Sequence, residues 1–126
     1  MPKSVPEITN GPKPIGAYNV AVEAGGLVFI SGQIAIDPVT NEKLDGDVAA
    51  QARRVLDNIG LVLGDLGLGF DALVKTTIFL ADIADFPTVN QIYAEYVGET
   101  PPARSTIEAG ALPGGFLVEI EAIATR

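Results

Sequence analysis

The run Leu27-Val28-Phe29-Ile30 most limits what this chain can become. In an extended strand, successive side chains point to opposite faces, so Leu27 and Phe29 lie on one side and Val28 and Ile30 on the other. A strand that is apolar on both sides needs cover on both. Just before it, Gly25-Gly26 accepts the positive φ of a tight hairpin, which pairs the run with a strand at 18–23. Candidate covering layers follow. Val48, Ala52, Val55, Leu56, Ile59, Leu63 and Leu66 recur at helical spacing while Arg53, Arg54 and Asp57 face away, which predicts a helix over 47–66. Asp45 or Asp47 is placed to cap its start, and Gly67 to end it. Gly60 and Gly64 inside it cost about 1 kcal/mol each against Ala, a loss that close packing on a sheet would offset. Residues 72–81, rich in Val, Thr, Ile and Phe, predict a strand. Asp85 as cap, Pro87 in the first turn and Gly98 at the end bracket a second helix over 85–97. Strands are expected at 104–108 and 116–125, and turn-rich loops at 37–46 and 110–115. Residues 1–14 read as a flexible or edge arm.

The resulting order, ββαβαββ, is that of a single α+β domain: a sheet of five or six strands with both helices on one face. Two helices cover only that face. The other would remain a large apolar patch, so it is expected to pack against further copies of the chain.

Composition narrows the chemistry. A chain of 126 residues, 48% of them hydrophobic, can remove roughly two-thirds of its unfolded surface from water. It contains no Cys and no His, which excludes disulfides, thiol nucleophiles, Ser-His-Asp triads and nearly every zinc or haem site. A formal charge of -8 opposes phosphate, so neither nucleic acid nor an anionic membrane is an expected partner. The longest apolar stretch, 59–70, is interrupted by Asp65 and by Gly60, Gly64, Gly67 and Gly69, and cannot span a bilayer. The N-terminal residues show no apolar leader, so a cytoplasmic protein is expected.

Polar chemistry must then come from carboxylates, hydroxyls, amides and the 8 Lys and Arg residues. Lys3, Lys13, Lys43, Arg53 and Arg54 fall in loops or on helix faces, and Lys75 in a strand. Arg104 differs. It follows Pro101-Pro102-Ala103, which fixes the backbone approach, and opens a strand on the same face as Thr106 and Glu108. It is either a structural ion-pair partner or a fork gripping a ligand carboxylate. In the last strand, alternation puts Glu119 and Glu121 on one face with Leu117 and Ile123. These acids are either a solvated face or, among apolar neighbours, carboxyls with raised pKa values suited to proton transfer. Their spacing of about 7 Å falls within the range of inverting glycosidases, but neighbours on one strand do not straddle a bond. Tyr18 is either an interface aromatic or a phenol at a site. Ser31-Gly32 is either a simple turn or a pocket wall that a glycine lets a ligand approach. Asn90 reads first as a surface amide. No phosphate-binding glycine loop is present.

Seven stretches in order resemble the RidA (YjgF) family of enamine/imine deaminases. They are Ile15-Gly16-Ala17-Tyr18, Ile30-Ser31-Gly32-Gln33, Ala49-Ala50-Gln51-Ala52-Arg53 with Leu56-Asp57-Asn58, Val74-Lys75-Thr76-Thr77, Phe86-Pro87-Thr88-Val89-Asn90, Pro102-Ala103-Arg104-Ser105, and Val118-Glu119-Ile120-Glu121-Ala122-Ile123-Ala124. The resemblance covers 15–126 and implies a chorismate-mutase-like fold with a mixed sheet, assembled as a homotrimer with its sites between subunits. It implies that Arg104 binds a substrate carboxylate, that Glu119 works beside the water, and that Tyr18, Ser31, Gly32, Asn90 and Thr106 line the pocket. Many relatives have Pro where Ala17 stands and several have Cys where Thr106 stands; Thr106 keeps size and a hydroxyl and excludes thiol chemistry. The implied activity is hydrolysis of 2-aminoacrylate-type enamines, as 2-imino acids, to ammonia and 2-oxo acids such as pyruvate or 2-oxobutanoate. The partners are those small molecules and the homotrimer itself, and no metal or cofactor is required. A non-catalytic or chaperone-like regulatory trimer using the same clefts is the alternative, and ribonuclease activity a third reading that the acidic charge and missing His oppose.

Overall fold

The computed structural model describes residues 2–126, so Met1 of the expected arm lies outside the described residues. The elements are β1 (Ala21–Ala24), β2 (Leu27–Gln33), α1 (Val48–Asp65), β3 (Leu73–Leu80), α2 (Phe86–Val97), β4 (Ala103–Glu108) and β5 (Val118–Thr125). They form one five-stranded sheet in the order β1-β2-β5-β3-β4. The β3–β4 pair is parallel, joined through α2, and the other pairs are antiparallel, so the sheet is mixed as expected.

Gly25 and Gly26, at φ 60° and 81°, close the β1–β2 hairpin with the left-handed pair that its twist favours. In α1, the Asp47 carboxylate accepts from the Ala50 N–H, and Gly67 takes the left-handed position beyond the C-terminal end. The buried stripe of α1, with Val55, Leu56, Ile59 and Leu63, meets Val28 and Ile30 of β2, Ile78 and Leu80 of β3, and Val118 and Ile120 of β5 in one core. Truncating such a residue to Ala would cost about 2–5 kcal/mol.

Three local expectations are corrected. Tyr18 is not in β1: its N–H donates to the Gly16 carbonyl and its hydroxyl accepts from the Ile15 N–H, so 15–18 curls before the strand begins at Ala21. Asp85 makes no side-chain cap to α2. A 3-10 turn, Ile83–Asp85, runs directly into the helix, and Asp82 caps one turn earlier by accepting from the Ala84 N–H. Gly60 does not pack on the sheet. A Cβ there would lie 3.2 Å from the Phe70 ring, while one at Gly64 would meet nothing within 4 Å.

The arm is tied at two points. Ser4 pairs with Glu23 of β1, and the Asp65 carboxylate at the end of α1 accepts from the N–H groups of Thr9, Asn10 and Gly11. Both helices lie on one face of the sheet. The opposite face carries Leu27, Phe29, Val74 and Ile107, each at least 36% exposed, with Lys75, Thr77, Phe79, Glu119, Glu121 and Ile123 between them. No helix among the described residues is long and apolar enough to cross a membrane.

Candidate functional site

Arg104 lies on the edge strand β4, beside Thr76 of β3. Alternation turns it toward the helices, where Asn90 of α2 accepts from its Nη1 at 2.7 Å. The guanidinium carbon sits 5.3 Å from the Phe86 ring centroid and 5.1 Å from that of Tyr93, within cation–π range of both. Phe86, Asn90 and Tyr93 share one face of α2 because they fall at i, i+4 and i+7. Tyr93 is 3% exposed, and its hydroxyl lies 2.6 Å from Thr76 Oγ1. Burial raises the Tyr93 pKa, against the opposing pull of the Thr76 bond and Arg104, so the phenol stays neutral. A cleft of about 540 Å³, lined by Ile83, Ala84, Phe86, Pro87, Arg104 and Thr106, opens beside the guanidinium. Within it, Thr106 Oγ1 is buried and has no hydrogen-bond partner among the described residues. Arg104 therefore has an anchored inner edge and open space beside it, which suits a bidentate grip on a small carboxylate.

Glu119 stands on the other side of the sheet. It pairs with Phe79 on β3, between the buried neighbours Val118 and Ile120, and so projects from the bare face. Between Ile30 and Gln33 the β2–β5 register slips, and this bulge carries Ser31 and Gly32. A Cβ at position 32 would fall on the Glu119 carboxylate, so glycine lets the carboxylate lie where it does and any larger residue would displace it. The strand runs on past this bulge to Gln33. The Ser31 hydroxyl donates to the Asn19 carbonyl at 2.7 Å, which holds the curled 15–18 segment against β2. Ile15, Tyr18, Ser31, Gly32, Ile34, Pro113 and Glu119 line a second pocket of about 340 Å³. Burial raises the pKa of Glu119, and the charge of Glu121 raises it further.

The seven residues singled out from the sequence thus fall into two groups. Arg104, Asn90 and Thr106 gather on the helix side at the sheet edge; Glu119, Gly32, Ser31 and Tyr18 gather on the bare side. Within one chain the groups face opposite ways. Sequence reasoning missed Tyr93 and Thr76. Their signal was the helical spacing of Tyr93 from Asn90 and Phe86, a pattern that a core aromatic shares.

Fold and site define a small α+β protein with an arginine-lined cleft on one side of its sheet and a glutamate-lined pocket on the other. The model of the family described as Endoribonuclease L-PSP matches residues 8–126. A mouse protein named 2-iminobutanoate/2-iminopropanoate deaminase is 42% identical over 124 residues, covering 98% of this chain and 92% of the mouse protein. Among solved structures, a Yersinia pestis protein of the conserved Rid family superposes with TM-score 0.94 at 48% identity, covering 99% of this chain and 100% of that one. The YjgF gene product of E. coli superposes at 0.86 with 41% identity, covering 98% of each chain. The chain belongs to the RidA (YjgF) family.

Proposed function

We propose that this protein is a homotrimeric hydrolytic deaminase of 2-imino acids, the tautomers of 2-aminoacrylate-type enamines. It would release ammonia and a 2-oxo acid such as pyruvate or 2-oxobutanoate. The carrying observation is the Arg104 guanidinium, bonded to Asn90 on one side and flanked by open cleft. The mouse relative's name supports the same reaction class.

In this reading Arg104 grips the substrate carboxylate with its planar fork and draws electron density from the adjoining C=N carbon. Glu119, Gly32, Ser31 and Tyr18 come from a second copy whose bare face packs over the cleft. This joining also covers Leu27, Phe29, Val74 and Ile107. The oxygen of a water adds to the C=N carbon while its proton passes to the Glu119 carboxylate. Glu119 returns that proton to nitrogen, giving a carbinolamine; the remaining O–H proton then passes through the same carboxylate to the NH2 group, the C–N bond breaks, and ammonia leaves as the C=O forms. A carboxyl held above its ordinary pKa accepts and returns a proton near neutral pH more readily than a free one. An imine is already electrophilic, so positioning and proton transfer suffice without a metal or cofactor. The Thr106 hydroxyl is free to bond the ligand.

The test is ammonia release from freshly generated 2-iminobutanoate. Arg104→Lys replaces the fork with a point charge and is expected to lose most of the activity. Full turnover by that variant would remove the carboxylate clamp. Binding of 2-oxobutanoate without imine turnover would favour a non-catalytic regulatory trimer. The family description favours testing ribonuclease activity also, which the charge of -8 and the absence of His oppose; cleavage of single-stranded RNA that Arg104→Lys leaves intact would support it.

A further inference from the structure

A single hydrogen bond to Asn90 fixes one nitrogen of Arg104 but leaves the plane of the guanidinium free to turn about it. Two rings flank the guanidinium. Phe86 is half-buried at the cleft wall. Tyr93 is buried, and its hydroxyl is held by Thr76, which is 1% exposed and is the strand neighbour of Arg104 on β3. The contacts close a circuit: Arg104 on β4, Thr76 on β3, Tyr93 on α2, and back to the guanidinium. A buried hydroxyl pair is a poor choice for packing alone, because apolar groups of the same shape fill such a space with nothing to satisfy. What the pair does supply is a fixed position for one ring face.

We propose that Tyr93, locked by Thr76, is a positioning residue that holds the plane of the Arg104 guanidinium so that its free edge meets the ligand carboxylate squarely. This rests on the reading of Arg104 as the carboxylate clamp. Turning the plane leaves the positive charge that polarises the C=N carbon in place and loosens only the grip, which acts on the carboxylate before and during the reaction alike. Loss of its positioning should therefore raise KM and weaken binding of a product acid while leaving kcat nearly alone.

The experiment measures 2-oxobutanoate affinity by calorimetry and iminobutanoate kinetics for the full chain, Tyr93→Phe, Tyr93→Leu, Arg104→Lys and the double variant Tyr93→Leu/Arg104→Lys. Tyr93→Leu should weaken binding about tenfold and raise KM by a similar factor, with kcat within about twofold; Tyr93→Phe, which keeps the ring but loses the Thr76 bond that locks it, should weaken binding by an intermediate factor of about threefold. On the Arg104→Lys background, Tyr93→Leu should add far less than tenfold, since both act through one group. Unchanged affinity in Tyr93→Leu, with Arg104→Lys clearly weakened, would overturn the positioning role and leave the clamp standing. Unchanged affinity in Arg104→Lys would overturn the clamp and the positioning role with it. If Tyr93→Leu does not fold, phenylalanines carrying successive ring fluorines at position 93 keep the shape and drain the ring face. Affinity should then fall stepwise with fluorine number, and a flat series would overturn the proposal.

Discussion

The two halves of the proposed site are built by opposite means. Arg104 sits on an edge strand, where backbone pairing is weakest, and is braced by side chains: Asn90, Phe86 and Tyr93, with Thr76 behind. Glu119 sits on the central strand β5, paired on both sides, and its position comes from the backbone. The β2 bulge and Gly32 clear a space just wide enough for its carboxylate. No described side chain bonds that carboxylate, and burial and Glu121 are what shift it. Under the proposed roles, the group that keeps its charge and orientation is cross-braced, and the group that gains and loses a proton is desolvated and left without fixed bonds.

The comparison breaks most sharply at the two charged groups. Glu119→Gln should lower kcat by about a hundredfold, the ordinary worth of a positioned proton carrier, while 2-oxobutanoate still binds through Arg104. Calorimetry on that variant beside its turnover separates the halves; an unchanged rate would assign the proton work elsewhere. A smaller loss is expected from Gly32→Ala, whose Cβ would fall on the Glu119 carboxylate and must displace it. Turnover should fall about tenfold or more with product-acid affinity nearly intact, because effects confined to one half leave the other alone. Equal losses in both readouts would show that the halves are not built separately.

Acid–base behaviour gives a third contrast. Because the Glu119 pKa is raised from 4.5, the fold binds its proton more tightly than the unfolded chain does. That stabilisation is complete below the unfolded pKa and is lost as pH rises through the folded one. Glu119→Gln should therefore melt higher than the parent at neutral pH, with the advantage shrinking as pH falls toward 4. A lower Tm for Glu119→Gln at neutral pH would contradict the sign. The smallest effect belongs to Thr106, whose buried hydroxyl lacks a partner. Thr106→Val should add up to about 1 kcal/mol of stability in a denaturant titration while weakening 2-oxobutanoate binding a few-fold. A loss of stability would mean that the hydroxyl is satisfied in solution.

Much of this was legible in the sequence. The helical stripe from Val48 to Leu66, the Gly25-Gly26 hairpin and the double-sided run Leu27–Ile30 needed only period and φ preference. The bare sheet face followed from having two helices and strands apolar on both sides. Other features were hidden because they depend on tertiary neighbours. Nothing local distinguishes Tyr93 from a core aromatic until Thr76 and Arg104 are placed beside it. Gly60 was expected on the sheet, but its neighbour is Phe70, brought round by the turn after α1. Asp85 had the right type and spacing for a cap, yet the preceding 3-10 turn moved capping to Asp82. Alternation placed Glu119 and Arg104 each on a face, but that the two faces are opposite required the β3–β4 and β3–β5 registers.

The central claim is that Arg104 of one copy works with Glu119 of another. Subunit mixing tests it directly. Arg104→Ala and Glu119→Gln, each nearly inactive alone, are dissociated, combined in equal amounts and reassembled. If each site takes its two halves from different copies, random assembly leaves about a quarter of the sites with both native groups, and iminobutanoate turnover should recover to about that share of the parent value. A mixture that forms hybrid oligomers but stays as inactive as its components would contradict the account.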